Sequence, residues 1–338
     1  MKPIQICGGG LAGLTLGILL RQAAVPVRVT EAGQYPRHRV CGEFISGAGQ
    51  QILQKIDPGN ILANAATNRS TAWFARSRLV READLPIPAT GLSRFQLDAR
   101  LANRFQKIGG ELITGKRLRS LPDTEGSVLA CGRAGTDRAW IGLKLHCRDL
   151  NQKHDLSMHL GTNGYVGVSR IENDRWNVCG LFRLRRDISP GKQKMLTAYL
   201  RANDLHFLAE SIESSDIDPL SVSATTRLQF GRGKWPPGAI SLGDTAAAIP
   251  PFAGNGMSIA FESAELAFPE LLAYASGEKN WTDTRYNLKK SIRKKFSSRL
   301  RAARFLHPFL LQKRLQPTGT AILSMRILPF HLLYNVLR

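Results

Sequence analysis

The N-terminal segment of the chain constrains the fold more than any other stretch. A short apolar run from Ile4 ends in a glycine cluster, Gly8–Gly13, which overlaps an apolar stretch of helical length, Leu11–Leu20. A second run rich in β-branched residues, Val25–Thr30, then closes on the acid Glu31. This order predicts strand, glycine turn, helix, strand and acid, which is the βαβ unit typical of dinucleotide sites.

The residues of the glycine turn have separate physical tasks. Gly8 permits the tight turn, Gly10 lets the backbone approach a pyrophosphate, and Gly13 lets the helix pack close to the strand. The start of the helix, at Leu11 and Ala12, offers N–H groups and a partial positive charge to that pyrophosphate. The turn therefore predicts an anion-binding site.

The acid that closes the second strand narrows the choice of dinucleotide. Glu31 lies 18 residues after Gly13, at a strand tip where it can accept hydrogen bonds from a ribose. An acid at this position favours an unphosphorylated ribose, as in FAD or NAD. A glycine pattern alone also occurs in ordinary turns, but the complete βαβ context favours the dinucleotide site.

Length and composition set the class of protein. A chain of 338 residues can bury a sizeable core in one large or two medium domains. Its five cysteines include no Cys-x-x-Cys pair, and its seven histidines include no His-x-x-x-His spacing. These patterns argue against a disulfide framework and a metal site and fit a reducing cytoplasm. We expect no secretory signal before the first strand, and Leu11–Leu20 is too short to span a membrane.

The middle of the chain changes to a strand pattern. We expect a helix over Gly47–Ile56, strands over Thr71–Ala75 and Leu79–Ile87, with Pro86 and Pro88 ending the second strand. Closely spaced strands separated by Gly, Asn and Asp turns follow, which predicts an inserted antiparallel sheet. These strands are Trp140–Cys147, Asp155–Leu160, Tyr165–Arg170 and Trp176–Phe182, and a helical stretch, Lys192–Ser211, comes after them.

A second stretch of the sequence has the same kinds of residue as the N-terminal motif: a strand, an acid, a glycine-rich turn and the start of a helix. An apolar strand, Ala239–Gly243, ends at Asp244, and a glycine-rich turn then opens a helix over Ser258–Ala275. An aspartate at a strand tip can bind a ribityl hydroxyl, and N–H groups at a helix start can stabilise negative charge on a reduced ring. The turn contributes the candidate residues Pro250, Gly254, Asn255, Gly256 and Met257.

Together the motifs resemble the flavoprotein superfamily of aromatic-hydroxylase-type FAD monooxygenases and geranylgeranyl reductases. Three stretches carry the resemblance: Gly8–Glu31, Arg94-Phe-Gln-Leu-Asp98, and Gly243–Met257. It implies that the first binds the FAD pyrophosphate and adenosine ribose, that Arg94 lies along the cofactor, and that the third contacts the ribityl chain and the isoalloxazine. Arg39 is a further candidate for the pyrophosphate, because that group needs cations near it.

Other residues resemble the reductase branch more closely. Cys41-Gly42 matches the Cys-Gly pair that this branch places beside the flavin, and Gly164-Tyr165 matches its strand over the flavin face. Cys41 is either a reactive thiol near the cofactor or a small residue that lets the loop approach the ring. In contrast, Cys131-Gly132-Arg133 stands where the hydroxylases carry an Asp-Gly pair involved in pyridine nucleotide use, which places direct NADPH handling in doubt. The halogenase Trp-x-Trp motif and catalytic lysine signature are absent from the sequence.

The resemblance implies an α/β fold with a glutathione-reductase-type, Rossmann-like FAD domain, an inserted antiparallel substrate domain and a helical tail. We expect the FAD domain over residues 1–70, 91–135 and 236–284, the substrate domain over 71–90 and 136–235, and the tail over 285–338.

The tail carries most of the excess charge. From Arg285 to Arg338 there are 13 Lys and Arg residues and no acid, out of a net charge of +21. Apolar residues at Ile292, Phe296, Leu300 and Phe305 form a stripe on this cationic helix. The stripe either contacts an anionic membrane surface or packs on the FAD domain. No recognised nucleic-acid-binding module accompanies the charge, which argues against a nucleic-acid partner.

These observations predict a cytoplasmic FAD oxidoreductase that contacts the inner face of the membrane or lies free of it. The family implies hydroxylation of an apolar aromatic or polyketide-like substrate through a flavin C4a-hydroperoxide, with NAD(P)H or another reductant as electron donor. One alternative is reduction of C=C bonds in an isoprenoid or other lipid. A second alternative is a non-catalytic lipid- or nucleic-acid-binding protein on a flavoprotein scaffold. No catalytic residue is assigned, although Cys41 is a candidate flavin contact.

Overall fold

The computed structural model describes residues 1–118, 120, 123–133, 139–226, 228–233, 235–254, 256–311 and 314–324. Its strands are β1 (Ile4–Cys7), β2 (Val27–Thr30), β3 (Phe44–Ile45), β4 (Ala66–Ala75), β5 (Arg78–Gly91), β6 (Glu111–Ile113), β7 (Ser127–Leu129), β8 (Trp140–Arg148), β9 (Leu156–Leu160), β10 (Gly164–Ile171), β11 (Arg175–Arg183), β12 (Asp216–Thr225), β13 (Gly231–Arg232), β14 (Ile240–Ser241) and β15 (Ala247–Ala248). Its α-helices are α1 (Leu11–Gln22), α2 (Ala48–Ile56), α3 (Arg94–Lys107), α4 (Met195–Arg201), α5 (His206–Glu213), α6 (Gly256–Ser276), α7 (Trp281–Leu311) and α8 (Gln316–Ser324).

The first sheet is built around the N-terminal strand. Its five strands run parallel in the order β14-β7-β1-β2-β6. Helix α1 connects β1 to β2 and packs against α6, so its apolar residues are buried. Gly8 has a φ of +108°, and a Cβ added to Gly13 would lie 2.0 Å from the Gly8 carbonyl oxygen. The predicted βαβ unit and its close helix–strand contact are therefore confirmed.

The second sheet has eight strands in the order β12-β8-β11-β10-β9-β4-β5-β3. Its strand pairs are antiparallel except for β4 and β9, which run parallel. Helices α4 and α5 pack on one face, where Val166, Val168 and Val178 join a separate hydrophobic cluster. The opposite face turns towards the parallel sheet. The predicted insertion of an antiparallel sheet is confirmed, but β4 begins at Ala66, so the expected boundary at residue 70 does not follow the sheet.

Two element predictions are wrong for local reasons. Pro86 and Pro88 lie within β5 instead of ending it, because the pairing of β4 with β5 shifts register between Asn68 and Ser70 and needs no N–H donor from either proline. The helical stretch expected over Lys192–Ser211 is divided into α4 and α5. Between them Asp204 adopts a φ of +62°, which a continuous helix does not permit.

The basic tail forms α7, which packs on the body of the protein. Ile292 and Phe296 are buried in the main hydrophobic core, Leu300 is partly buried, and Phe305 is 69% exposed. Helix α8 folds back, and Gln316 donates a hydrogen bond to the Gly161 carbonyl oxygen. The apolar stripe therefore faces the protein over most of its length. In the described part of the chain, no helix has the length and apolar character that crossing a membrane requires.

Candidate cofactor and substrate site

A cavity of about 850 Å³ lies between the two sheets. Most of the candidate residues line it: Gly8, Gly10, Leu11, Ala12, Glu31, Arg39, Cys41, Gly42, Arg94, Gly243, Asp244, Gly254, Gly256 and Met257. Gly13 and Pro250 do not line it, and Asn255 lies outside the described residues. Segments that are far apart in the sequence thus meet around one space.

The glycine turn presents backbone to this cavity. A Cβ added to Gly10 would meet no atom within 4 Å, so the chain is open to a ligand at this point. Gly10 is the N-cap of α1, and no side chain caps the helix there. The first N–H groups of a helix have no partner within the helix, so they are available to a bound anion.

Glu31 is held tightly at the end of β2. Its carboxylate accepts hydrogen bonds from the N–H groups of Gly9 at 2.7 Å and Gly33 at 2.9 Å. The Arg37 guanidinium adds an ion pair at 2.6 Å. Glu31 therefore fixes the glycine turn and the following loop while it lines the cavity. Its role towards a ribose remains a prediction, and the pairing with Arg37 was not expected from the sequence.

Two arginines on the cavity wall share one buried acid. The Asp98 carboxylate accepts hydrogen bonds from Nε and Nη2 of Arg94, at 2.7 and 2.9 Å. One of its oxygens also lies 3.2 Å from Nε of Arg39. Arg94 precedes Asp98 by one helical turn of α3, and Ser93 caps this helix. Arg39 also lies 3.8 Å from Glu31, so Arg37, Arg39 and Arg94 together face two carboxylates. This wall therefore keeps one excess positive charge, which suits a pyrophosphate.

Asp244 supplies a direct test of whether a flavin fits. Its Oδ2 atom pairs with Nε of Arg133 at 2.8 Å, whereas its Oδ1 atom is buried and has no hydrogen-bond partner among the described residues. A buried acceptor without a partner is costly, and a ribityl hydroxyl would satisfy it. The adjacent Gly243, at a φ of +57°, donates its N–H to Ser263. The polar groups of this corner fit the FAD that the sequence predicts.

A buried polar cluster fixes the loop that carries Cys41 and Gly42. The carboxylate of Glu43 binds Nζ of Lys144 and Nε2 of His146, each at 2.6 Å, and all three side chains are inaccessible to solvent. Burial alone raises the pKa of Glu43, but the Lys144 ammonium and the hydrogen bond from His146 hold that pKa at about 2. Glu43 is therefore ionised, and it ties the loop to β8.

Two further contacts hold the same loop against the sheet. Asn177 donates to the Cys41 carbonyl oxygen at 3.1 Å, and the Ser169 hydroxyl donates to the Gly42 carbonyl oxygen at 2.8 Å. Burial raises the pKa of the Cys41 thiol. A thiol with a raised pKa is a poor nucleophile, so this shift argues against the prediction of a reactive thiol at Cys41.

The floor of the cavity beyond this loop is apolar. Met158 is paired directly with Gly167 in β10 and with Trp73 in β4, so the three residues share one face of the sheet. A Cβ added to Gly167 would meet only the Cys179 carbonyl oxygen, at 3.9 Å. Glycine within a strand often marks a close approach of a ligand. The arrangement leaves a flat recess bordered by an aromatic and a thioether side chain.

One feature of the sequence indicates the buried polar cluster, although it was not used to predict it. Strand β8 alternates between a face that carries Lys144 and His146 and a face that carries Leu143 and Leu145. Charged residues on the inner face of a buried strand require partners. Their partner, Glu43, lies about 100 residues earlier, and sequence patterning does not connect the two.

The comparisons with known proteins agree with this geometry at the level of fold. The two sheets with the cavity between them also occur in solved flavoprotein structures, and the resemblance expected from the sequence is confirmed at the level of the fold. No family model matches the chain, and no curated protein matches its sequence.

Three solved structures illustrate the likeness. PqsL from Pseudomonas aeruginosa, in complex with 2-aminobenzoylacetate, is similar with a TM-score of 0.74 and 13% identity over 93% of this chain and 98% of that chain. HpxO from Klebsiella pneumoniae, with FAD and uric acid, has a TM-score of 0.77 and 14% identity, covering 99% of this chain and 95% of that one. The flavin-dependent brominase Bmp2 has a TM-score of 0.76 and 14% identity over 99% and 93% of the two chains.

Proposed function

We propose that this chain is an FAD-dependent monooxygenase that acts on a flat, apolar aromatic or polyketide-like molecule. The observation that carries the proposal is that the glycine turn, the apolar floor around Gly167 and the Oδ1 atom of Asp244 meet in one cavity. This Oδ1 atom has no hydrogen-bond partner in the described part of the chain. NAD(P)H or another reductant would supply the electrons.

Different residues along the cavity bind different parts of the FAD molecule. The N–H groups at the start of α1 and the guanidinium groups of Arg39 and Arg94 hold the pyrophosphate. Asp244 accepts a ribityl hydroxyl, and the start of α6 at Gly256 offers a partial positive charge to the ring. The cofactor itself supplies the redox chemistry and the activation of dioxygen.

The floor favours a flat apolar substrate. Trp73 and Met158 offer aromatic and polarisable surface, and Gly167 leaves room for a ring against the sheet. Lys144 lies two strands from Gly167 in the same row of the sheet, and Glu43 neutralises its charge. The charge of Lys144 is therefore not available to a charged substrate.

One observation favours reduction of C=C bonds as the second candidate. Cys41 and Gly42 line the cavity on a loop that four side chains of the sheet hold in place, and this pair is the feature that resembles the reductase branch. An isoprenoid chain would also suit an apolar floor. The two candidates differ in their need for dioxygen.

A spectroscopic experiment distinguishes these proposals. The purified protein is reconstituted with FAD, reduced with NADPH under nitrogen, and given an uncharged aromatic ketone or an isoprenoid alcohol before air is admitted. Product that forms only after air, with matching oxygen consumption, supports the monooxygenase. Product formed under nitrogen supports the reductase, and a colourless protein that takes up no FAD overturns both.

The assignment of Asp244 has its own test. We expect Asp244→Ala to weaken FAD binding by at least tenfold, which corresponds to about 1.4 kcal/mol or more, because it removes a buried acceptor that has no partner among the described residues. Equilibrium titration followed by flavin fluorescence measures the change. Asp216→Ala, which removes an exposed carboxylate outside the cavity, is the control. Equal affinity in all three proteins would contradict the assignment.

A further inference from the structure

The outer face of α7 is a cationic surface that the body of the protein does not use. Its members are exposed: Lys289, Lys290, Arg293, Lys294, Arg301 and Arg304. Residues three and four apart share one side of a helix, so Lys290, Arg293, Arg301 and Arg304 lie along a single line. We call the six residues the cationic face.

The inner face of the same helix is fully engaged. Ile292 and Phe296 are buried, and Arg299 and Lys295 pair with the buried Glu262 at 2.6 and 3.4 Å. In the described part of the chain, none of the six members of the cationic face forms an ion pair. The charge on this side of α7 is therefore available to an external anion.

Two aromatic side chains lie towards the ends of this surface. Tyr286 is 66% exposed and Phe305 is 69% exposed. Exposed aromatic residues beside cations are typical of protein surfaces at a membrane interface, where the rings enter the headgroup layer and the cations meet phosphate. This combination favours a lipid surface over a nucleic acid.

A small pocket adjoins the cationic face. Its volume is about 220 Å³, and it lies between α7 and the segment that carries β13. The cations Arg232, Lys289 and Arg293 surround it, and Trp235 and Phe296 contribute apolar surface. Cations around an apolar floor match a phosphate that bears a glycerol or acyl group.

We propose that the cationic face docks the protein on an anionic phospholipid surface, with one headgroup phosphate in this pocket. Helix α7, about 46 Å long from its 31 residues, then lies along the membrane. Its C-terminal part carries His307, which stacks on Phe252 of the cavity wall at 5.8 Å. The docked orientation brings the cavity near the bilayer, where an apolar substrate would dissolve.

Vesicle sedimentation tests the proposal. The FAD-loaded full chain is mixed with vesicles of phosphatidylcholine alone or with 30% phosphatidylglycerol, at low and high salt. We expect binding to the anionic vesicles at low salt, and its loss in high salt and on the neutral vesicles. Equal binding to both compositions, or no binding to either, overturns the proposal.

Charge-matched variants locate the surface. Reversal of Lys290, Arg293, Arg301 and Arg304 to Glu should lower the partition coefficient at least fiftyfold, since each cation contributes about a fivefold change. The control reverses four exposed cations elsewhere, Arg76, Arg78, Lys107 and Arg148, and should change it less than threefold. An equal loss in both variants would mean that net charge alone drives binding and would overturn the site.

Two competitors separate lipid from other anions. Glycerol phosphate at millimolar concentration should weaken vesicle binding only slightly, because a single phosphate engages the pocket and not the whole face. A 20-base-pair DNA duplex that binds more tightly than the vesicles at equal salt would overturn the lipid assignment. Phe305→Ser with Tyr286→Ser should weaken vesicle binding and leave duplex binding unchanged, and the opposite result counts against the proposal.

Discussion

Two glycines of the N-terminal turn have opposite surroundings, and this difference separates folding from cofactor binding. A Cβ on Gly10 would enter the open cavity, whereas a Cβ on Gly13 would collide with the Gly8 carbonyl oxygen. Without FAD, we expect the free energy of unfolding of Gly10→Val to lie within about 1 kcal/mol of that of the unmodified protein. The reason is that the backbone angles of Gly10, a φ of −84° and a ψ of −170°, suit valine.

The same variant should lose FAD affinity by more than tenfold, because the isopropyl group occupies the space where the pyrophosphate approaches. Urea denaturation of the apoprotein and a flavin titration measure the two effects. Gly13→Val is the comparison, and it should unfold at lower urea. If Gly10→Val binds FAD normally, the turn does not hold the cofactor.

The buried pair of Lys144 and Glu43 gives a second prediction at this scale. Lys144→Met leaves an ionised carboxylate without its main counter-charge in a site that water does not reach. Removing one partner of a buried ion pair costs about 3–5 kcal/mol. We therefore expect a loss of this size in urea denaturation, and the double variant with Glu43→Gln should recover part of it. A change below about 1 kcal/mol in the single variant would contradict the ionised pair.

At the scale of elements, α7 offers a direct comparison between a buried and an exposed aromatic residue. Phe296 is 1% exposed and lies in the main core, whereas Phe305 is 69% exposed. We expect Phe296→Ala to lower the free energy of unfolding by about 3–5 kcal/mol and Phe305→Ala to change it by less than about 0.5 kcal/mol. Thermal and urea unfolding measure both. Similar effects in the two variants would show that α7 does not pack as described.

Strands with a regular alternation of side chains were predictable from the sequence. The positions where a helix divides or a strand pairing shifts register were not. Strands β8, β10 and β11 follow the expected positions within one residue, because alternation is a local property of the chain. The division between α4 and α5 depends on the conformation of Asp204, and the length of β5 depends on a register shift with β4. Both are set by packing partners that a local pattern does not contain.

At the scale of the whole molecule, the site is made by the meeting of two sheets. The glycine turn and the Gly243–Asp244 turn could be assigned from the sequence because each is a local strand-to-helix motif. The pairing of Arg133 with Asp244 could not, because it joins residues 111 positions apart. The same limit applies to the recess over Gly167, which exists only because β4, β9 and β10 lie side by side.

The pH dependence of stability is the last prediction and belongs to the molecule as a whole. Burial lowers the pKa of both His159 and His307 from 6.5 to about 4. Between pH 6.5 and 4 the unfolded chain therefore binds protons that the folded protein excludes. Stability should be complete above pH 6.5 and fall as the pH drops to 4, by up to about 3 kcal/mol for each histidine.

A second window should follow at lower pH. The pKa of Glu43 is about 2 in the folded protein against an ordinary value of 4.5, so its contribution is lost as the pH falls from 4.5 to 2. Urea denaturation at a series of pH values measures both windows. His307→Phe, which keeps an aromatic ring against Phe252, should reduce the slope between pH 6.5 and 4 and leave the lower window unchanged. An unaltered slope in this variant would mean that His307 is protonated in the folded protein.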